Sequence, residues 1–270
     1  MADDIVPELM ARIRRDFSEA ALANERIQKF MKRIRDGTVG MDDASLFARD
    51  LGDILAEVLK RDITRDILPG GRMYYNIADR TIRPMLMETF RLTNEAARTV
   101  MEFLDGKDGI RLKALEGEWP EERVDTLIGA IGEDGIEWEE AERRMDEPVR
   151  NIAQGFFDEF VKANAEFRYR SGMREKIVRK LKGDACEWCR SLAGCYEYPD
   201  VPKDVYRRHD NCRCTVTFVS EKRRQDVWTK NTWTTPEQRE RRRAAGLALT
   251  RRTGDEARRW EEELDKGRGT

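Results

Sequence analysis

The sequence predicts an α+β protein: a mainly helical module over residues 1–167, a small α+β module over 168–235 that carries paired cysteines, and a charged helical tail over 236–270. Three observations predict it. Apolar residues recur at helical spacing through most of the first 167 positions. A β-branched run, Thr215-Val-Thr-Phe-Val219, then departs from that spacing beside two cysteine clusters. Beyond Trp233 the chain is dense in charge of both signs.

Composition bounds what these parts can be. At 270 residues the chain suffices for one large or two ordinary domains. Charged residues make up 39% and hydrophobic residues 39%, so the core is modest for the length and much of the chain is solvated helix surface. The net charge of -2 argues against a chain wrapped throughout in nucleic acid. No apolar run approaches the roughly 20 residues that span a bilayer. Met1 leads into Asp3 and Asp4 rather than a basic region and an apolar segment, which sets the expectation of no membrane partner and a cytosolic product with reduced thiols.

From the N-terminus, Ile13, Phe17, Ala20, Asn24, Ile27, Met31 and Ile34 recur at alternating steps of four and three. That spacing predicts one helical seam of coiled-coil character ending at Gly37, for core or partner-helix packing, in which the lone polar Asn24 could help fix register against a partner helix. A second helix is expected from Asp42 or Asp43, acids suited to a cap, through Phe47, Leu51, Leu55, Val58 and Leu59. Pro69-Gly70-Gly71 interrupts the helical pattern. Residues 73–104 are helical again, with Pro84 as a kink or new first turn and Thr93 as a cap for 95–104. Gly106 and Gly109 close that stretch, and 107–136 holds one short helix around 124–131. Helix resumes over 139–167 and restarts at Pro148, after which Val149, Ile152, Phe156, Phe157, Phe160 and Val161 form an apolar stripe.

Charge then shifts. Over 168–182, Arg168, Arg170, Arg174, Lys176, Arg179, Lys180 and Lys182 stand against Glu175 alone. Ile177, Val178 and Leu181 suggest a short strand within this stretch. With Arg207, Arg208 and Arg213 it could meet phosphate or an acidic surface, and a solvated face is the default reading. Residues 190–208, with Gly194, Pro199 and Pro202, read as a loop. In the tail, Arg239, Arg241, Arg242, Arg243, Arg251 and Arg252 mix with acids in two expected solvated helices, over 236–249 and 256–264.

The cysteines carry the strongest signal. Cys186-Glu-Trp-Cys189 is followed, after nineteen residues, by His209-Asp-Asn-Cys212-Arg-Cys214, and His209 is the only histidine in the chain. Borderline-soft zinc binds thiolate and imidazole, and two cysteines separated by two residues reach one ion from a single turn. If the strand ending at Val219 begins near Cys212, period two puts Cys212 and Cys214 on one face. The expected cofactor is one structural zinc held by Cys186, Cys189, His209 and Cys212, with Cys214 replacing one of these or standing just behind them. An ion pinning both ends of the 190–208 loop keeps it ordered without a core of its own. Cys195 has no partner at metal spacing and reads as a small loop or core residue. Disulfides are disfavoured by the odd count and by the length; unliganded core thiols are the remaining alternative.

The run GDACEWCRSLAGCYEYPDVPKDVYRRHDNCRCTVTF over 183–218 resembles the C-terminal cysteine/histidine motif of phage head morphogenesis proteins of the Mu F type, the minor head or minor capsid proteins. The shared pattern is a cysteine pair, Leu192-Ala-Gly194, then His209, Asn211, Cys212 and Cys214. The lead-in around 150–180 and the trailer VWTKNTW are similar too, whereas the helical N-terminal part matches only in general character. The resemblance implies a zinc-binding α+β module in a structural virion component of a tailed phage. Such a protein acts in head assembly, in the host cytoplasm and then in the phage head. Its implied partners are the portal protein, the major capsid protein, or both, with contact to packaged DNA.

Two other classes compete with this expectation. An enzyme would need an open zinc position and a nearby acid or base, for which Glu187 and Asp210 are placed. The His-x-Glu and Pro-Cys-x-x-Cys signature of zinc deaminases is absent in that order, as are a Walker loop, a nucleophile elbow and a His-Glu-x-x-His helix. Four filled positions would leave no place for water, so the expectation is not an enzyme. The other class is a zinc ribbon that binds nucleic acid through 168–182, Arg207, Arg208 and Arg213.

Overall fold

The structure, a computed structural model, describes residues 4–183, 185–209 and 212–220. The expected tail over 236–270, Trp228, Trp233 and Asn211 lie outside the described residues. Met1–Glu221 form one compact unit. It is mostly helical with a small antiparallel sheet, a layout that agrees with the α+β class. Among the described residues no helix is long and apolar enough to cross a membrane.

The N-terminal seam is two helices rather than one. α1 (Val6–Ala23) ends at Asn24, whose side-chain oxygen accepts the backbone N–H groups of Arg26 at 2.9 Å and Ile27 at 3.2 Å and so caps α2 (Glu25–Arg35). Asn24 is thus a cap and not a register residue. The break turns the second half of the seam: Ile27 and Phe30 are buried, while Met31 is 47% exposed. α3 (Met41–Asp62) starts just before the expected acids, and the Asp43 carboxylate accepts the Gly40 N–H at 2.8 Å. Its apolar face, Phe47, Leu51, Leu55, Val58 and Leu59, is buried throughout.

α4 (Tyr75–Lys107) is continuous across Pro84, so no new first turn starts there. Thr93 is buried within it and caps nothing. α5 (Glu121–Ile131) and α6 (Trp138–Arg144) lead to α7 (Glu147–Arg170), where Pro148 occupies the first turn. The stripe on α7 is the centre of the body: Phe156, Phe157 and Phe160 are fully buried, each stabilising by roughly 1.5–3 kcal/mol. α3 packs against α7 so closely that a Cβ on Gly52 would stand 2.8 Å from that of Ala153. Only glycine permits this approach.

At its end α7 turns sharply. Gly172 has φ 84°, and the Met173 N–H returns to the Arg168 carbonyl at 3.0 Å, a left-handed cap that directs the chain into the sheet. β1 (Glu175–Lys180) is the middle strand, flanked by β2 (Gly194–Glu197) and β3 (Thr215–Ser220), both antiparallel to it. Ile177 lies opposite Tyr196 on one side and Phe218 on the other. Leu181 falls just outside β1 and is exposed. β2 occupies part of the stretch expected to be only loop. Ile177, Val205, Val216 and Phe218 join the same apolar core as the helices, and residue 167 lies inside α7.

The basic stretch over 168–182 is not one solvated face. Arg168 and Arg179 are buried, Lys176 lies 3.7 Å from Glu197, and Lys180 pairs with Asp42 at 2.5 Å. Arg168 contacts Asp105 of α4 through both carboxylate oxygens, at 2.8 and 2.7 Å, and Glu175 of β1 at 2.7 Å. One guanidinium therefore ties two helices to the first strand. Period explains its position: Phe157, Val161 and Arg168 follow one face of α7, and Ile177 and Arg179 follow one face of β1.

Candidate metal centre

Cys186 stands at the N-cap of α8 (Glu187–Ser191), and Cys189 lies three residues on, so one helical turn brings both sulfurs to the same side. The Cys189 N–H donates to the Cys186 sulfur at 3.4 Å. His209 comes from the other side of the loop, after a short 3-10 turn, Lys203–Tyr206. Its Nε2 lies 3.3 Å from Cys186 Sγ and 2.9 Å from Cys189 Sγ. The Cys212 N–H closes a turn back to the His209 carbonyl at 3.1 Å, and Cys212 Sγ lies 3.7 Å from Cys189 Sγ. Cys212 and Cys214 are both buried while Arg213 between them is exposed, as period two requires.

All five expected ligands therefore meet, in two triads that share Cys189: Cys186, Cys189 and His209 on the outer side, and Cys189, Cys212 and Cys214 on the buried side. Within each triad the ligand atoms lie within 4.8 Å of one another, and either group can hold a metal ion. Cys195 joins neither. It is exposed on β2 opposite Val178, so it is neither a loop nor a core residue.

Arginines frame the cluster. Arg179, 2% exposed, directs Nη2 at Cys189 Sγ, 3.6 Å away, and Cys212 Sγ, 3.7 Å away. Its Nη1 donates to the carbonyls of Val205 and, at 3.0 Å, Arg207, which fixes the loop that delivers His209. Arg208 binds both carboxylate oxygens of buried Asp158 on α7 and donates to the Cys214 carbonyl at 2.6 Å. Gln154 adds a second donor to that carbonyl at 3.3 Å. Trp188 covers the outer side, with its ring edge-on to His209 at 5.6 Å and the Arg179 guanidinium 5.3 Å from its centre.

These surroundings split the two thiols of the first pair. Burial pushes Cys189 up to about 12 despite the pull of Arg179, whereas the backbone N–H of Cys189 holds Cys186 below the ordinary thiol value. Without a metal Cys189 keeps its proton at neutral pH, and metal uptake must release it.

The chain matches no family model, no curated protein and no solved structure. Its own geometry is what the site offers. Residue spacing alone points to the cysteines and His209; Arg179 and Arg208 escape it because they merge with a run of basic residues. The alternation of β1 is the signal that marks Arg179, since it falls two residues after core Ile177.

Proposed function

We propose that the protein is a structural minor head protein of a tailed phage, acting in head assembly near the portal or inner capsid, with one structural zinc. The observation that carries the zinc reading is the pair of triads joined at Cys189. Tetrahedral zinc with thiolates at about 2.3 Å sets neighbouring sulfurs about 3.8 Å apart, and Cys189 and Cys212 lie 3.7 Å apart. The chosen ligands are Cys186, Cys189, Cys212 and His209. Charge supports this set: three thiolates on a divalent ion leave one negative charge, which the single guanidinium of Arg179 matches. Four thiolates would leave two. Cys214 then stands behind the ion, its carbonyl tied to Arg208 and Gln154.

The virion reading is supported by the motif over 183–218 and by the way the cysteine segment is fastened to a helical body, which suits a part docked rigidly into an assembly. A filled shell leaves no position for a reacting water, so the zinc is proposed to stabilise and not to catalyse. Its partners are proposed to be the portal protein, the major capsid protein, or both, in the host cytoplasm and then the phage head. Co-expression with a portal ring tests this. Co-purification that survives high salt is expected; failure to associate with portal or heads, or a hydrolytic activity lost in folded Cys189→Ser, contradicts it.

A further inference from the structure

Beside the cysteine cluster lies a hollow of about 620 Å³ lined by Arg123, Lys162, Lys203, Arg207, Arg208 and His209, with Trp188 and Tyr206 among its walls. Glu159 is the one acid lining it among the described residues. Three of its cations have acidic neighbours: Lys162 lies 3.4 Å from Glu159, Arg207 lies 3.1 Å from Asp204, and Arg208 pairs with Asp158. With Asp158 and Asp204 counted, positive charges still exceed negative ones by two. A second, smaller hollow shares Arg123, Glu159 and Lys162 and adds Glu118, Glu121 and Glu122, so the positive end is the one formed by Lys203 and Arg207.

One further feature distinguishes this hollow from a merely solvated basic face. Trp188, 37% exposed, places a large aromatic ring among the cations. Cations that track a phosphate, together with an aromatic ring on which a base can stack, are what a sequence-tolerant site for single-stranded nucleic acid uses. We propose that this hollow binds a nucleotide unit, its phosphate against Lys203 and Arg207 and its base against Trp188. The inference stands on the charge and shape of the hollow and not on the virion reading. It also moves the nucleic-acid contact away from the 168–182 stretch, whose arginines Arg168 and Arg179 are buried.

The test is fluorescence anisotropy of the full-length, metal-loaded chain with a labelled single-stranded oligothymidylate, with thymidine 5′-monophosphate and polyglutamate as competitors. Lys203→Glu with Arg207→Glu is expected to weaken oligonucleotide binding tenfold or more. Arg174→Glu with Lys182→Glu makes the same change in net charge at exposed positions outside the hollow and should weaken it less than threefold. Trp188→Ala should cost about fivefold to a hundredfold. Lys203→Ser, at an exposed side chain, keeps the test open if the double reversal fails to fold. Competition by the mononucleotide at comparable concentration assigns the hollow to a free nucleotide, and much weaker competition assigns it to a nucleic-acid strand. Equal losses in the two double variants, equal displacement by polyglutamate, or no binding of either nucleotide form overturns the proposal.

Discussion

Arg179 and Cys212 are 33 positions apart in the chain, yet the guanidinium Nη2 lies 3.7 Å from the cysteine sulfur. A buried cation against a thiolate is favourable only while that thiolate is charged, so with Cys212 as a ligand of the proposed zinc the contact would couple Arg179 to the occupancy of the site. Arg179→Leu should lower zinc retention tenfold to a hundredfold, the usual loss when a group supporting a ligand is removed. Arg179→Lys should rescue only part of this, because an ammonium cannot reach two sulfurs and the Val205 and Arg207 carbonyls with fixed geometry. Competition against a calibrated chelator checks both; equal retention in all three proteins would mean that Arg179 serves packing alone.

Arg207 and Arg208 are adjacent in sequence and opposite in fate. Arg208→Leu leaves the Asp158 carboxylate buried and uncompensated and should cost about 3–5 kcal/mol of stability. Arg207→Leu removes a pair whose arginine side chain is 76% exposed and should cost less than about 1 kcal/mol. Urea unfolding of the metal-loaded proteins measures the difference, and similar midpoints would contradict the role given to the Asp158 pair.

Much of the helical body is legible in the sequence because helical period and apolar identity coincide there, as at Phe47, Leu51 and Leu55 or along Val149 to Val161. Asn24 shows where this stops. A polar residue at a seam position is compatible with a continuous coil or with a capped break, and only the backbone decides between them. At the candidate metal centre, cysteine spacing points to the residues that come together because ligation needs particular atoms at particular distances. The buried arginines are hidden for the converse reason: a guanidinium can be solvated or paired, and its partners Asp105 and Asp158 lie far along the chain. β2 is obscured by the turn residues on both sides of it.

The Asn24 cap has a measurable weight. Asn24→Ala should cost about 1 kcal/mol, whereas a register asparagine in a coiled coil would give a more stable protein on replacement by an apolar residue. Thermal unfolding of Asn24→Ala and Asn24→Leu separates the two. A stabilised Asn24→Leu protein would restore the continuous seam.

Removing the metal should loosen the cysteine segment and spare the helices. Ile177, Val216 and Phe218 lie in the helical core, whereas α8 and His209 lie outside it. With a chelator, limited trypsin digestion is expected to cut at Arg190, Lys203 and Arg207 while far-UV circular dichroism stays within about a tenth of its loaded value. Protons compete with metal for thiolates, so lowering the pH should have the same effect. A chelated protein as resistant as the loaded one, or one that loses its helices, would contradict this division.

The proposed zinc would have a single filled shell on Cys186, Cys189, Cys212 and His209. X-ray absorption at the zinc edge, with metal analysis of freshly purified protein, reads that shell. The predicted result is one zinc per chain with three sulfurs and one nitrogen, unchanged in Cys214→Ser and lost in Cys186→Ser. Substoichiometric metal, two ions per chain, or a light-atom ligand from water in place of a sulfur or the imidazole would contradict it.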